Sequence, residues 1–283
     1  MNDAWFWLPP LVGLVLAFFC SMVGISGAFL LLPFQMSVMG LSGPATSATN
    51  LLFNLFATPG GIWRYWRDGR LIWPLALMIT LGSLPGIVVG FYIRTRWLPD
   101  ASRFKLFVGA VLLYLAYRLL AGLFRRDERL DRTPQGGIGP WQFTGGQLVF
   151  SFDGEQKKLS VAALLGLACF VGIIGGTYGI GGGALIAPFL IAVFGLPVHA
   201  LAGAALTATF ATSVFGVAVY ALMPDPNGGS VAPDWMLGSL FGVGGFVGMV
   251  LGSACQKWMP QKILQGALGL LLALLSLNYL TRA

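Results

Sequence analysis

"GGTYGIGGGALIAPFL", Gly175 to Leu190, holds six glycines within nine residues and then runs into apolar sequence carrying a proline. Apart from proline, glycine stabilises a helix least. A stretch as apolar as a membrane span therefore has a reason to break here. Hydrocarbon supplies no hydrogen-bonding partner for backbone groups, so a chain leaves helix at membrane depth only where protein or a water-filled cavity covers the break. The stretch predicts a span interrupted beside a polar interior.

Of the 283 residues, 57% are hydrophobic and 10% charged, against roughly a quarter charged in an ordinary soluble domain. Residues 8–63, 71–93 and 160–223 contain no Asp, Glu, Lys or Arg, where a span needs only about 20 such residues. The formal net charge of +7 does not indicate nucleic acid, because the basic residues cluster at the ends of apolar runs, as cytoplasmic anchors do. Cys20, Cys169 and Cys255 are odd in number and widely spaced, which suits core packing and neither a disulfide framework nor a zinc site. The opening "MNDAWFWLPPLVG" lacks the basic region of a cleaved signal peptide, so Leu8 onward reads as a mature span.

The glycine-rich stretch has a twin. Laying Pro33 on Pro188 aligns "GISGAFLLLPF" (Gly24 to Phe34) with "GIGGGALIAPF" (Gly179 to Phe189), and the register then matches Gly40 to Gly195, Gly61 to Gly216 and Tyr65 to Tyr220 without a gap. Further on, "LGSLPGIVVG" (Leu81 to Gly90) resembles "VGGFVGMVLG" (Val243 to Gly252). The chain reads as two copies of one unit. The expected fold is an all-α polytopic membrane protein of about eight transmembrane segments in two homologous four-segment repeats, the first segment of each broken at its glycines. Residues 1–124 form the first repeat, 125–159 a polar linker loop and 160–283 the second repeat. A broken segment that enters and leaves on one side would change the count. With an even number of spans per half, the copies run parallel. Ten Lys and Arg then fall on the linker side, Arg282 among them, against six opposite, including Lys257 and Lys262, which favours a cytoplasmic linker.

Helix N-termini present unpaired N–H groups and the positive end of the dipole, which suits an anion. Gly24, Ser26 and Gly27 in the first break, and Thr177, Tyr178, Gly179, Gly181, Gly182 and Gly183 in the second, are therefore candidate substrate-binding residues. The second helix adds Ser47, Asn50 and Asn54 on one face, and the matching sixth helix adds Thr207 and Thr209. Hydroxyls in such helices also bond back to their own backbone. The glycines have a rival reading as close helix packing, the better one for Gly238, Gly242, Gly245, Gly248 and Gly252 at three- and four-residue spacing.

Two tempting motifs fail. "GIGGGA" (Gly179 to Ala184) fits a dinucleotide fingerprint, but no acidic residue occurs between Glu155 and Asp225 to hold a ribose. "GISG" resembles an intramembrane protease nucleophile with His199 as base, yet Ser26 aligns with Gly181 and His199 follows Pro197 in an apparent turn. His199 keeps a candidate gating or pH-sensing role. No enzyme, cofactor or metal is expected.

At these residues the chain resembles the TauE/SafE family of sulfite and organosulfonate exporters, also called the toluene sulfonate uptake permease family. The resemblance covers nearly the whole chain: two homologous halves, "GIGGG…P" at Gly179 to Pro188 with its weaker twin at Gly24 to Pro33, and the basic turn after the second helix. Ser26, where glycine would stand, departs from the signature and makes the two half-sites unequal. The resemblance implies a secondary transporter, in the export direction, of a small sulfur-containing or organic anion in the bacterial inner membrane, with proton coupling. Its partners would be that anion and the lipid bilayer, with a homodimer an allowed assembly. The predicted first, second, fifth and sixth helices contain no carboxylate, so a proton would travel with the substrate, through His199 or through Asp68, Asp225 or Asp234. A passive anion channel or uniporter is the rival reading.

Overall fold

A computed structural model describes residues 4–23, 25–67, 69, 71–124, 138–152, 155–194, 198–225, 228–255 and 261–281. In order these form α1 (Ala4–Met22), α2 (Ala28–Ser37), α3 (Pro44–Arg67), α4 (Trp73–Tyr92) with a π-helical turn (Ile93–Trp97), and α5 (Ala101–Phe124). Strands β1 (Ile138–Thr144), β2 (Gln147–Phe152) and β3 (Glu155–Ser160) follow, then α6 (Val161–Tyr178), α7 (Gly182–Phe194), α8 (Val198–Leu222), α9 (Trp235–Cys255) and α10 (Gln261–Thr281). Among them, α4 to α6 and α8 to α10 each contain a stretch long and apolar enough to cross a membrane. The chain is a helical multi-pass membrane protein.

Local chemistry sets the ends. Pro44 opens α3 at the position where a missing N–H costs nothing. Asp234 Oδ1 accepts the Leu237 N–H at 2.9 Å, capping α9. Ser160 accepts from Ala163 at the start of α6. Gly179 closes α6 in the left-handed region at φ 90°, with its own N–H and that of Ile180 both on the Gly175 carbonyl. That cap reverses the chain.

Side-chain contacts fix the directions. At the start of α9 the Asp234 N–H donates to Thr49 Oγ1 at 2.9 Å, and at its end Arg64 donates to Ser253 Oγ at 3.3 Å, so α3 and α9 run the same way. α1 runs with them, Pro10 against Gly244 and Leu14 against Gly248. α4 and α6 also run together, Gly82 against Ala168 and Gly90 against Thr177. α3 opposes α8 through Gly61 with Leu206 and Gly216 with Leu51, and α5 opposes α10 through Gly109 with Leu280 and Gly122 with Gln265. The end at which α5 finishes and α6 begins is the linker end; the other is the far end.

These directions correct the parallel arrangement expected from the sequence. α2, ten residues and so about 15 Å long, is too short to finish a crossing of about 30 Å. It turns back toward the far end, where Tyr279 of α10 donates to the Pro33 carbonyl and meets Ser37 Oγ. α7 turns back toward the linker end, its Phe189 stacked on Tyr114 of α5 and edge-on to Phe170 of α6. Each broken segment thus enters and leaves on one side, and the halves run in opposite senses. Lys262 consequently sits at the linker end and the close of α10 at the far end.

The linker also departs from the expected loop. β1, β2 and β3 form an antiparallel meander, turned between β1 and β2 by Gly145 and Gly146 at φ 57° and 76°, as a two-residue hairpin requires. Leu148, Phe150 and Leu159 face the core, and the Gly146 carbonyl accepts the first N–H of α6 at 3.0 Å. In a cysteine-free background, Gly43→Cys and Ser230→Cys are expected to react with an impermeant maleimide from one face of the membrane and Thr144→Cys only from the other. Parallel halves would instead put Ser230→Cys with Thr144→Cys.

Candidate functional site

The two breaks meet on α3. Asn54 Oδ1 accepts from Ser26 Oγ of the first break at 2.6 Å, while Asn54 Nδ2 donates to the Ile180 carbonyl of the second at 2.9 Å. Ser26 Oγ in turn accepts the Ala28 N–H at 3.2 Å, at the head of α2. One turn earlier, Asn50 Nδ2 donates to the Ala28 carbonyl at 3.0 Å. One turn earlier still, Ser47 Oγ donates to the Thr177 carbonyl at 3.1 Å. The face of α3 read from spacing as Ser47, Asn50 and Asn54 therefore bridges both interruptions. All three are fully buried.

Tyr178 joins the breaks from the other side. Pro33 has no N–H to give the carbonyl four residues before it, which leaves the Phe29 carbonyl without its helical partner. Tyr178 Oη donates to that carbonyl at 2.8 Å. At the head of α7 the Gly182 N–H donates to Thr212 Oγ1 at 3.0 Å. Thr212 was legible only as one hydroxyl of several on its helix.

The glycines of the second break serve close contact in this conformation. Gly181 has φ 75°, and a Cβ there would lie 2.9 Å from Thr212 Oγ1 and 3.0 Å from Ser213 Oγ. A Cβ on Gly183 would overlap the Ala205 carbonyl, on Gly182 Ser83 Oγ, and on Gly179 the Ser47 carbonyl. Gly27 abuts the Ala17 backbone at 3.0 Å. Gly24 lies outside the described residues.

Other candidates are used elsewhere. Thr177 Oγ1 donates to the Gly90 and Ile173 carbonyls. Thr209 borders the second break with its backbone, while its hydroxyl bonds back to Ala205 at 2.8 Å. Thr207 bonds back to Gly203 at 2.9 Å and is only partly buried. His199 stands in the first turn of α8, its side chain outside the described residues, as is Asp68.

Among the described residues, three buried side chains carry polar atoms without a protein partner: Ser213 Oγ beside the head of α7, Asn50 Oδ1 beside the head of α2, and both amide atoms of Gln35 further along α2. A buried unpaired group costs about 1–3 kcal/mol, so each marks a place where water or a ligand atom improves matters. Beyond Ile25 of the first break, toward the linker end, lies a shallow cleft of about 20 Å³, room for about one water molecule, walled also by Ser21, Gly61, Tyr65, Ala202, Leu206, Met249 and Ser253. Sequence reasoning passes over Arg94, which is fully buried at the far end. Its signal was spacing: Gly82, Gly86, Gly90 and Arg94 recur every four residues along the α6-facing stripe.

The family model described as "Sulfite exporter TauE/SafE" matches residues 10–279. A relative from Bacillus subtilis strain 168, "Probable membrane transporter protein YunE", is 24% identical over 194 residues, which cover 66% of this chain and 67% of the relative. No solved structure matches.

Replacing Gly182 or Gly181 by leucine would test packing before it tested transport. Gly183→Ala is expected to cost about 2 kcal/mol, the scale of overpacking, and to lower the unfolding temperature of the detergent-solubilised protein. Gly166→Ala, with open space around its Cβ, is expected to leave that temperature unchanged or slightly raised.

Proposed function

The chain belongs to the sulfite exporter TauE/SafE family, whose members are membrane transporters and not enzymes, and from that premise we propose a secondary transporter that exports a small oxyanion of the sulfite or organosulfonate class. The anion binds between the heads of the half-helices α2 and α7. One observation carries this reading: Asn54 ties the two breaks together, and each half-helix head has an unpaired buried atom beside it, Asn50 Oδ1 and Ser213 Oγ. Ser213 donates to an oxyanion oxygen. Asn50 Oδ1 accepts from a protonated one, so hydrogen sulfite would satisfy both and bring its own proton.

Residues 1–124 and 160–283, joined by 125–159, act in this proposal as inverted copies, an arrangement used by many transporters. Reciprocal contacts support it: Gly61 on Leu206 answers Gly216 on Leu51, and α1 on α9 answers α6 on α4. The two ends then differ in state. Around the first break a shallow cleft remains beside Tyr65, whereas around the second its match Tyr220 packs on Phe91 at 4.9 Å between ring centres and donates to the Gly176 carbonyl at 3.0 Å. Such inequality favours alternating access over a pore.

Orientation follows the charges of the connections. The linker end carries Arg64, Arg67, Arg70, Arg125, Arg126, Arg129, Arg132, Lys157, Lys158, Lys257 and Lys262 by sequence, the far end Arg94, Arg96, Arg103, Lys105 and Arg282. Eleven against five supports a linker, and with it the shallow cleft, facing the cytoplasm of a bacterial inner membrane.

The deciding experiment is flux in proteoliposomes offered sulfite, thiosulfate, sulfoacetate or taurine under an imposed pH gradient. Sulfite flux that follows the gradient is expected; flux indifferent to it makes the protein a channel, and no flux of any anion refutes the proposal. Ser213→Ala is expected to weaken transport about tenfold through KM, the scale of one hydrogen bond to a charged group, with the unfolding temperature unchanged.

A further inference from the structure

Among the described residues, Arg94 is a buried cation with no counter-ion in the interior of a membrane protein. Its Nε donates to Ser47 Oγ at 3.2 Å, one terminal nitrogen to the Ser42 carbonyl at 2.6 Å, the other to the Leu98 carbonyl, and the guanidinium lies 3.6 Å above the Phe104 ring. All four partners are neutral. Asp100, the carboxylate two residues past Leu98, is exposed and turned to Arg103 at 3.8 Å. Burying a charge costs several kcal/mol unless it is paired, and carbonyls and a ring recover only part of that. Neutral glutamine would satisfy two carbonyls and a hydroxyl more cheaply. The positive charge itself is therefore what the position preserves.

Its place gives that charge a use. Arg94 stands in the π-helical turn Ile93–Trp97, a distortion often found at functional sites. It touches Ser47, and Ser47 holds the Thr177 carbonyl and abuts Gly179 of the second break. It is thus two hydrogen bonds from the break that the far end closes over. Resting on the anion-transport reading above, we infer that Arg94 is the anion-recognition residue of the far-end route. When that end opens, the guanidinium leaves the Ser42 and Leu98 carbonyls and takes two oxygens of the anion, so sulfonates and sulfite are selected by a planar, two-pronged donor.

The test is sulfite uptake kinetics in proteoliposomes for Arg94→Gln and Arg94→Lys beside the unaltered chain, with unfolding temperature as control. Arg94→Gln, if folded, is expected to raise KM at least about thirtyfold. Arg94→Lys, which keeps charge but loses the two-pronged geometry, is expected to raise KM about tenfold with Vmax nearly kept, and it decides the matter where the glutamine variant does not fold. An unchanged KM in the folded variants, with only Vmax reduced, assigns Arg94 to structure and overturns the inference while the transport reading stands. An unaltered chain that moves no anion overturns both.

Discussion

Every backbone polar group inside the bilayer must find a partner, and the two interruptions of this chain are where that demand is hardest to meet. Glycine and proline create the deficit. Gly179 ends α6 and leaves the next residues outside any helix; Pro33 strips the Phe29 carbonyl of its donor. Part of the remedy is local, Asn50 on the Ala28 carbonyl and Thr212 on the Gly182 N–H, and the rest comes from the opposite half: Asn54 reaches Ile180, Ser47 reaches Thr177, and Tyr178 reaches Phe29. Neither half completes its own break. The halves are joined through the polar groups that a conformational change would have to exchange.

The reversals have a second consequence. A helix followed by a half-length return brings the chain back to the end it came from, so α3 to α5 and α8 to α10 each run the length of the bundle three times. An odd number turns the second half over. Inversion then sets α1 beside α9 and α6 beside α4, so that small residues meet backbone along both seams: Gly244 and Gly248 against Pro10 and Leu14, Gly86 and Gly90 against Cys169 and Ile173. The stripe read as packing from its spacing in α9 is packing, and the one in α4 is its match.

Much of this was legible. The glycine clusters, their shared register and the polar face of α3 could be read from residue type and spacing, and they lead to the residues that bridge the breaks. The direction of α2 and α7 could not, because hydropathy is blind to which way an apolar stretch of 10 or 13 residues points. The mistaken parallel arrangement followed from that one ambiguity. The sheet was overlooked for another reason: "WQFTGGQLVFSF" alternates as a strand does, but the glycines and prolines just before it read as loop. Thr207 and Thr209 give their hydroxyl protons to a local competitor, the carbonyl four residues back, always within reach of a threonine on a helix. Arg94 was hidden by its address near a helix end, where arginine usually reaches for water.

The two halves are not chemically equal, and this bears on how they move. Ser26 faces Gly181 across the register, Asn54 faces Thr209, and Asn50 faces Ala205. The head of α2 is therefore bound by side chains from α3, whereas the head of α7 is held by Thr212 and left with Ser213 unpaired. An exchange of conformations between equal halves would be balanced by symmetry. Here each head keeps an unpaired atom of a different kind, an amide oxygen that only accepts (Asn50 Oδ1) at the first and a hydroxyl that can donate (Ser213 Oγ) at the second, so the two sides offer different chemistry. In the transporter proposed above, an occupant that binds the two heads unequally would bias the equilibrium between open ends, as any ligand that binds two states unequally must.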